Sequence, residues 1–374
     1  MCPVDPSISR ANGVLAANRT LDLAAIRAVG FDLDHTLALY DDDAVNALAM
    51  AEACALLAAQ RGFRDHQLVA APNAHDAAVA RALALDLKTS HVVKLDAGRR
   101  VRVARRGGRW LAPRDVDTAH PERAPADGDG IHPISSRFDI PTLWLFDAVA
   151  RACDPAVGMD AARVCRDVRE MLDWSHTRGE LKQRLVSDLT RFVSGVSGTT
   201  ERLAEWRRAG KRLFVVTNSE RAFATAVLDL VVGPAWRTLF DVVATSSRKP
   251  SFFIRSDGTH TAERSDRAIV LEGAHAAAVE AAVGVNSEHI LYVGDNARAD
   301  ILAARAHGWK TAHVVEELAE AATIHGEWGS AFAADDRPTW FAHQVRDSAD
   351  VVCDRVDRLL ACNPDETLAT GESA

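Results

Sequence analysis

The feature that most restricts the fold is a set of three short apolar segments that each run directly into polar residues. The segments and their following residues are 26–31 with Asp32, 212–216 with Thr217, and 290–294 with Asp295. Each segment has the length and the β-branched content of a buried parallel strand. Helical patterns follow them at 44–60, 219–232 and 300–307. Strands that alternate with helices predict an α/β fold with a doubly wound parallel sheet.

The stretch between the first two polar clusters is too long for a single crossover, so we expect an inserted mixed α/β cap domain. It contains a candidate hairpin, a loop rich in Pro, Gly and Asp, and two helical patterns: 91–95 with 100–103, 113–133, 141–153 and 159–174. The predicted domains are core 14–60, cap 61–197, core 198–345, and a C-terminal helix with a flexible tail in 346–374. That last helix is expected at 347–360.

Composition excludes several classes of partner. A net charge of −8 argues against binding to nucleic acid or to an anionic membrane. We interpret the Arg-rich hairpin around Val101 and Val103 as a strand with one solvated face. No apolar run is long enough to span a membrane. The six cysteines are scattered and the first residues lack a signal-peptide pattern, so we expect a cytoplasmic protein with reduced thiols.

The strongest local motif is the pair of carboxylates Asp32 and Asp34, just past the first predicted strand. Two close carboxylates repel each other unless a cation or a proton intervenes. A hard cation such as Mg²⁺ takes oxygen ligands and keeps some of its waters. The alternative is an acidic surface turn or a helix cap.

The other polar clusters are weaker when taken singly. Thr217 and Asn218 suit a phosphate at a helix start, although an N-cap explains them as well. Lys249 precedes a proline, which favours an extended loop in which the lysine can neutralise a phosphate. A solvated basic loop is the alternative there. Asp295 follows the third strand and can complete a metal site, whereas Asp300 can be a cap at the next helix.

The four clusters together resemble the haloacid dehalogenase-like phosphohydrolase superfamily, and most closely its cytosolic purine 5′-nucleotidases. The resemblance rests on FDLDHTLALY, VVTNSE, SSRKPSFF, ILYVGDNARADILAARAHGWKT and the cap segment DVREMLDWSHTRGELK. It implies Mg²⁺ as cofactor, a purine nucleoside monophosphate as substrate, and hydrolysis of a phosphoric monoester. A homo-oligomer is compatible with it.

The resemblance also assigns roles to the catalytic residues. Asp32 would form an aspartyl-phosphate, and Asp34 would protonate the leaving oxygen and then activate water. Mg²⁺ would be held by Asp32, by the Asp34 backbone carbonyl and by Asp295. The phosphoryl oxygens would be bound by Thr217, Asn218 and Lys249. Asp300 would support these residues without binding Mg²⁺ or the phosphoryl group itself.

Substrate recognition is expected in the cap. Arg169, Asp173 and His176 have the spacing of one helix face, for which an exposed ion pair is the alternative. By resemblance, Arg169 and Asp173 face the purine, and His176 and Lys182 lie near the sugar-phosphate. Phe138 matches an aromatic residue that stacks on the base, although it can also be a core residue of the cap. IMP and GMP are the first candidates.

Two other functions stay open. Ser135 stands near a position where the family has a ligand-binding Asn. This departure allows a phosphatase for a sugar phosphate or a modified nucleotide. The other alternative is a non-catalytic nucleotide-binding module, which would have no need of Asp34.

Overall fold

A computed structural model describes residues 13–70, 72, 74–124, 130–153, 159–256, 258–319 and 328–370. In chain order the strands are β1 (Leu15–Ala17), β2 (Leu21–Asp22), β3 (Ala28–Phe31), β4 (Ala38–Tyr40), β5 (Leu83–Asp86), β6 (His91–Leu95), β7 (Val101–Arg106), β8 (Arg109–Trp110), β9 (Ile131–Pro133), β10 (Val193–Gly195), β11 (Arg212–Val216), β12 (Val242–Thr245), β13 (Thr261–Ser265), β14 (Ala268–Glu272), β15 (Ile290–Gly294), β16 (Lys310–Val314), β17 (Ala333–Ala334), β18 (Arg337–Pro338), β19 (Val351–Cys353) and β20 (Thr367–Leu368).

The α-helices are α1 (Asp42–Arg61), α2 (Ala74–Val79), α3 (Pro113–Ala119), α4 (Ile140–Ala152), α5 (Ala161–Thr177), α6 (Leu181–Ser187), α7 (Leu189–Phe192), α8 (Thr199–Arg208), α9 (Arg221–Val231), α10 (Trp236–Leu239), α11 (Ser251–Ile254), α12 (Ala276–Val283), α13 (Ala303–His307), α14 (Trp340–Ser348) and α15 (Val356–Leu360). A π-helical turn, Ala297–Leu302, runs directly into α13.

The chain divides into two compact units. The core unit holds the described residues of Ser7–Asp41, Asp188–Ala319 and Val345–Ala374. The inserted unit holds the described residues of Asp42–Ser187 and Glu320–Gln344. The sequence-based bounds placed 42–60 and all of 198–345 in the core. They differ because α1 packs against α4 and α5, and because a second length of chain returns to the inserted unit.

The core unit is built on a nine-stranded sheet with the order β1-β19-β16-β15-β3-β11-β12-β14-β13. Neighbouring strands from β19 to β14 are parallel, and the edge strands β1 and β13 are antiparallel to their neighbours. This arrangement confirms the predicted doubly wound parallel sheet. The chain proceeds outward from β3 in both directions, so the carboxyl end of β3 is the point where such sheets bind ligands.

Close packing explains the residue types at the centre of the sheet. Phe31 is level with Val215 on one side and with Val293 on the other. Next to it, a Cβ atom at Gly30 would lie 2.2 Å from the Phe214 ring. Gly30 therefore lets a phenyl group cover β3. The three strands end within one residue of one another.

The predicted C-terminal helix at 347–360 is wrong. Residues 351–353 form β19, which pairs with β16 and β1, and α14 and α15 lie on either side. A run of three apolar residues is too short for periodicity to separate a strand from a helix. The predicted flexible tail also contains order, since Thr367 pairs with Asp22 through β20 and β2.

The inserted unit contains a five-stranded antiparallel sheet with the order β8-β7-β6-β5-β9. The predicted hairpin corresponds to β6 and β7, and the two predicted helices to α4 and α5. The predicted loop at 113–133 contains α3 and β9, with 125–129 outside the described residues.

Two buried cations hold the inserted unit together. Arg105 donates two hydrogen bonds to the Asp76 carboxylate, at 2.8 and 2.7 Å, and lies 3.3 Å from Asp147. We call Arg105, Asp76 and Asp147 the arginine cluster. Lys94 is fully buried and donates to the carbonyls of Trp328, Ser330 and Ala333. Trp328 also donates to Asp76 at 2.8 Å, so both cations help to hold the returning segment.

Within the described part of the chain, no helix combines the length and the apolar character needed to cross a membrane. The cysteines of that part, Cys54, Cys153, Cys165, Cys353 and Cys362, are free thiols.

Candidate active site

The carboxyl end of β3 carries Asp32, which is buried within the core unit. Its backbone N–H donates to the Val293 carbonyl at 2.8 Å and thus extends the sheet by one residue. Its Oδ1 accepts a hydrogen bond from the Leu33 N–H at 2.7 Å. These contacts fix the direction in which the carboxylate leaves the strand.

Lys249 lies between two of the buried carboxylates. Its Nζ is 2.7 Å from Asp32 Oδ1 and 2.6 Å from Asp300 Oδ1, and it donates to the Tyr292 hydroxyl at 3.0 Å. We call Lys249, Asp32, Asp300 and Asp295 the lysine cluster. Since Lys249 is only 8 % exposed, the alternative of a solvated basic loop is wrong for this residue.

The charges of the lysine cluster shift its proton affinities. Burial raises the pKa of Asp32, and the charges of Asp300 and Asp295 raise it further, while Lys249 acts in the opposite direction. Burial lowers the pKa of Lys249, but Asp300 and Asp32 outweigh this effect, so the pKa is raised. The lysine therefore stays protonated.

Three carboxylates of the cluster come close together. Asp32, Asp295 and Asp300 each place a carboxylate oxygen within 4.8 Å of the others, and all three are buried. The backbone of Gly294 makes this approach feasible, because a Cβ there would lie 2.6 Å from the Asp300 Cβ. Asp300 Oδ2 also accepts from the Asn296 N–H at 3.1 Å. The side chain of Asp300 thus does more than cap a helix.

Asp34 is half-buried, and both of its carboxylate oxygens accept hydrogen bonds from hydroxyl groups. Its Oδ1 accepts from the Tyr40 hydroxyl at 2.5 Å, and its Oδ2 accepts from Ser219 Oγ at 3.0 Å. By resemblance, only the Asp34 backbone carbonyl was expected at the metal. The two hydroxyl contacts involve the side chain and do not test that expectation.

Thr217 and Asn218 follow β11 beside Asp32. Thr217 is buried and its Oγ1 accepts from the Ser219 N–H at 3.0 Å, a local turn that leaves the hydroxyl proton for another acceptor. Asn218 accepts from the Lys249 N–H at 2.6 Å and donates to the Lys249 carbonyl at 3.3 Å. It therefore fixes the backbone that carries the lysine.

The predicted recognition residues all belong to the inserted unit. Arg169, Asp173 and His176 lie on α5, and Lys182 lies on α6. The Phe138 ring is 5.6 Å from the His176 ring, at an interplanar angle of 64°. Phe138 is half-buried.

The sequence analysis missed two residues at these sites, Tyr292 and Asp139. Tyr292, which appeared to be an apolar strand residue, donates from its hydroxyl to the Val216 carbonyl at 3.1 Å and to Asp300 at 3.3 Å. In the inserted unit, Asp139 accepts from Ser135 Oγ at 3.1 Å. Burial raises the pKa of Asp139, although Ser135 and Arg169 act against the shift. For Tyr292, the signal available in the sequence was a polar hydroxyl within a strand predicted to be buried.

Similar proteins include the human 5′-nucleotidase domain-containing protein 2. The two sequences are 26 % identical over 335 residues, which is 81 % of this chain and 62 % of the relative. The chain thus spans less than two thirds of that relative's length.

Solved structures similar to this chain include a phosphatase and a hydrolase of the haloacid dehalogenase-like family. A predicted phosphoglycolate phosphatase from Haemophilus somnus is 14 % identical with a TM-score of 0.39, covering 90 % of this chain and 97 % of the other. A hydrolase from Streptococcus pneumoniae is 13 % identical with a TM-score of 0.37, covering 90 % and 98 %.

The family model of the 5′ nucleotidase family matches residues 15–324. This is more than half of the chain and includes every residue of the lysine cluster. It confirms the resemblance to 5′-nucleotidases that was seen in the sequence. The chain belongs to the 5′ nucleotidase family.

Proposed function

We propose that this chain is a Mg²⁺-dependent 5′-nucleotidase that hydrolyses purine nucleoside monophosphates, with IMP and GMP as first candidates. The observation that carries the proposal is the position of Lys249 Nζ, 2.7 Å from Asp32 and 2.6 Å from Asp300. A buried ammonium beside a carboxylate nucleophile can bind the phosphoryl group that the nucleophile attacks.

The donor set of the lysine cluster fits Mg²⁺. The cluster contains three buried carboxylates and one lysine, so negative charge is in excess, and oxygen atoms are the ligands that this ion prefers. Asp32, Asp295 and the Asp34 carbonyl would hold the ion, while Asp300 keeps Lys249 in place. When bound, the ion neutralises charge on the phosphoryl oxygens. The raised pKa of Asp32 supports the need for a further cation beside it.

The reaction has two steps. A carboxylate oxygen of Asp32 attacks phosphorus, the bond from phosphorus to the nucleoside oxygen breaks, and Asp34 gives its proton to that oxygen. Asp34 then takes a proton from water, whose oxygen attacks phosphorus and displaces Asp32 as a carboxylate. Inorganic phosphate leaves. Thr217 and Lys249 hold the phosphoryl oxygens, and Asn218 contributes to the same site.

The cap residues select the substrate. Phe138 stacks on the purine, Arg169 and Asp173 bind its polar edge, and His176 and Lys182 bind the sugar-phosphate. This assignment is supported by the family resemblance, by the proximity of the Phe138 and His176 rings, and by the common helix of Arg169, Asp173 and His176. Transfer of the phosphoryl group to a second nucleoside is compatible with the same intermediate. The free cysteines suit a reducing compartment such as the cytoplasm.

A second substrate class is favoured by one contact. Ser135, near the position of a ligand-binding Asn in the family, donates its hydroxyl to Asp139 at 3.1 Å. A hydroxyl used in this way is less available to a base, which favours a sugar phosphate or a modified nucleotide. A module that binds nucleotides without turnover is the remaining alternative.

The experiment is a substrate panel of IMP, GMP, AMP, UMP and glucose 6-phosphate, with Mg²⁺ or with EDTA. We expect phosphate release from a purine nucleotide with Mg²⁺ and none with EDTA. Preference for the sugar phosphate would replace the nucleotide assignment, and tight binding without release would favour the binding module. Arg169→Ala should raise KM for the purine nucleotide about tenfold, whereas Arg163→Ala, another exposed arginine of α5, serves as the control.

A further inference from the structure

The Asp34 carboxylate is held at both oxygens by hydroxyl groups from different parts of the core unit. Tyr40 ends β4 and contacts Oδ1 at 2.5 Å, whereas Ser219 follows β11 and contacts Oδ2 at 3.0 Å. The second contact joins residues 185 positions apart in the chain. Contacts on both oxygens restrict the carboxyl group to one rotamer.

Both donors are themselves fixed. Tyr40 is paired with Val193 across β4 and β10, and its ring lies 5.1 Å from the ring of His35. Ser219 donates its N–H to Thr217 Oγ1 at 3.0 Å, and its carbonyl accepts from the Ser246 N–H at 2.9 Å. Tyr40 and Ser219 therefore cannot easily move with Asp34, and a rotation of Asp34 would break both hydrogen bonds.

The chemistry of a hydroxyl suits a carboxyl group that gains and loses a proton. A hydroxyl donates to a carboxylate and can turn to accept from a carboxylic acid. An arginine or a lysine in the same place would favour the ionised form alone. Two hydroxyls can thus hold Asp34 in either protonation state.

We propose that Tyr40 and Ser219 are positioning residues that keep Asp34 in one rotamer while it first donates and then accepts a proton. The inference rests on the proposed function, because only a catalytic Asp34 passes through both states. It differs from a phosphate-binding role for Ser219, which would act on KM, and from a packing role for Tyr40, which would act on stability.

The experiment compares two leaving groups in Tyr40→Phe and Ser219→Ala. The nucleoside oxygen is a poor leaving group and needs a proton from Asp34. In contrast, 4-nitrophenolate is a good leaving group and departs without a proton. For the preferred nucleotide we expect kcat to fall about 10- to 100-fold with KM changed less than about threefold. The first-turnover rate of 4-nitrophenolate release should change less than about threefold, because this step does not need the acid.

The controls separate positioning from folding. Ser219→Thr keeps a hydroxyl and should retain most of the activity, and Ser187→Ala removes an exposed hydroxyl of the inserted unit. Thermal melting identifies a variant that fails to fold. If Tyr40→Phe fails to fold, Ser219→Ala decides the test alone. Equal losses on both substrates, a rise in KM alone, or an unchanged kcat would overturn the inference. If the unaltered chain hydrolyses no phosphate ester, the proposed function and this inference both fall.

Discussion

The two units each bury a cation between carboxylates, yet the two clusters have different surroundings. In the core unit, Lys249 contacts Asp32 and Asp300 at 2.7 and 2.6 Å. In the inserted unit, Arg105 binds Asp76 with two hydrogen bonds at 2.8 and 2.7 Å. Ion-pair distances alone would not show which cluster is the candidate active site.

The neighbours of each cluster make the distinction. The Arg105 guanidinium lies 5.4 Å from the centre of the Trp110 ring and 5.3 Å from that of the Trp328 ring. Trp328 also donates to Asp76, so the arginine cluster is closed by aromatic rings. The lysine cluster instead lies at the carboxyl ends of parallel strands and has a further carboxylate, Asp295. A buried ion pair therefore indicates a functional site when it lies at the carboxyl ends of parallel strands and is accompanied by excess negative charge.

The largest effect is expected for Asp32→Asn. Loss of the proposed nucleophile should reduce hydrolysis more than about 1,000-fold. The same change should raise the melting temperature in EDTA, by about 2–4 °C for each kcal/mol relieved. A carboxyl group whose pKa is raised on folding opposes folding at neutral pH, because the unfolded chain ionises it more easily.

Phosphate release and thermal melting measure both effects. Asp266→Asn, at an exposed position of the core unit, is the matched control and should change neither. A lower melting temperature for Asp32→Asn would contradict the view that the site is held at a cost in stability. Activity above about a tenth of the original would contradict the nucleophile assignment.

The opposite pattern is expected for Asp76→Asn. Breaking a buried ion pair leaves Arg105 with one carboxylate, Asp147, and should cost about 3–5 kcal/mol of the free energy of unfolding. Turnover per folded molecule should change less than about threefold at 20 °C, because the lysine cluster is untouched. Denaturant unfolding checks the first statement and phosphate release the second. Asp115→Asn, at an exposed acid of α3, is the control, and equal stability of the two variants would refute the distinction.

The smallest effect is a pH dependence in the inserted unit. Burial lowers the pKa of His91 to about 4, assisted by the charge of His120. A histidine that resists protonation when folded has no effect on stability above the pKa of the unfolded chain, near 6.5. Below that pH the unfolded chain takes up the proton more easily, so the histidine opposes folding increasingly as the pH falls towards 4. Melting temperature should therefore drop over this window, and less steeply in His91→Asn. His66→Asn, at an exposed histidine, should match the original slope.

Local patterns in the sequence were sufficient to predict the sheet and the ends of its strands. Apolar runs end at Asp32, Thr217 and Asp295, and parallel strands that end level with one another bring such residues together. The structure places these residues beside each other for that reason.

Contacts between distant segments could not be read in the same way. Tyr292 looked like one more apolar residue of β15, and nothing in the sequence indicates that its hydroxyl meets Lys249. The hydroxyl contacts of Asp34 depend on where Tyr40 and Ser219 lie in the folded chain. β19 was missed because three residues do not define a period. The sequence therefore did not show which distant residues contact Tyr292 and Asp34 or which strands pair with β19.

The inserted unit is assembled from two lengths of chain, and this limits how the unit can be exchanged between proteins by recombination. A transplant of 42–187 alone would separate Lys94 from the three carbonyls of 328–333 that it binds, and Asp76 from Trp328. A viable exchange has to carry both lengths, and the descendants of such an event should inherit them together.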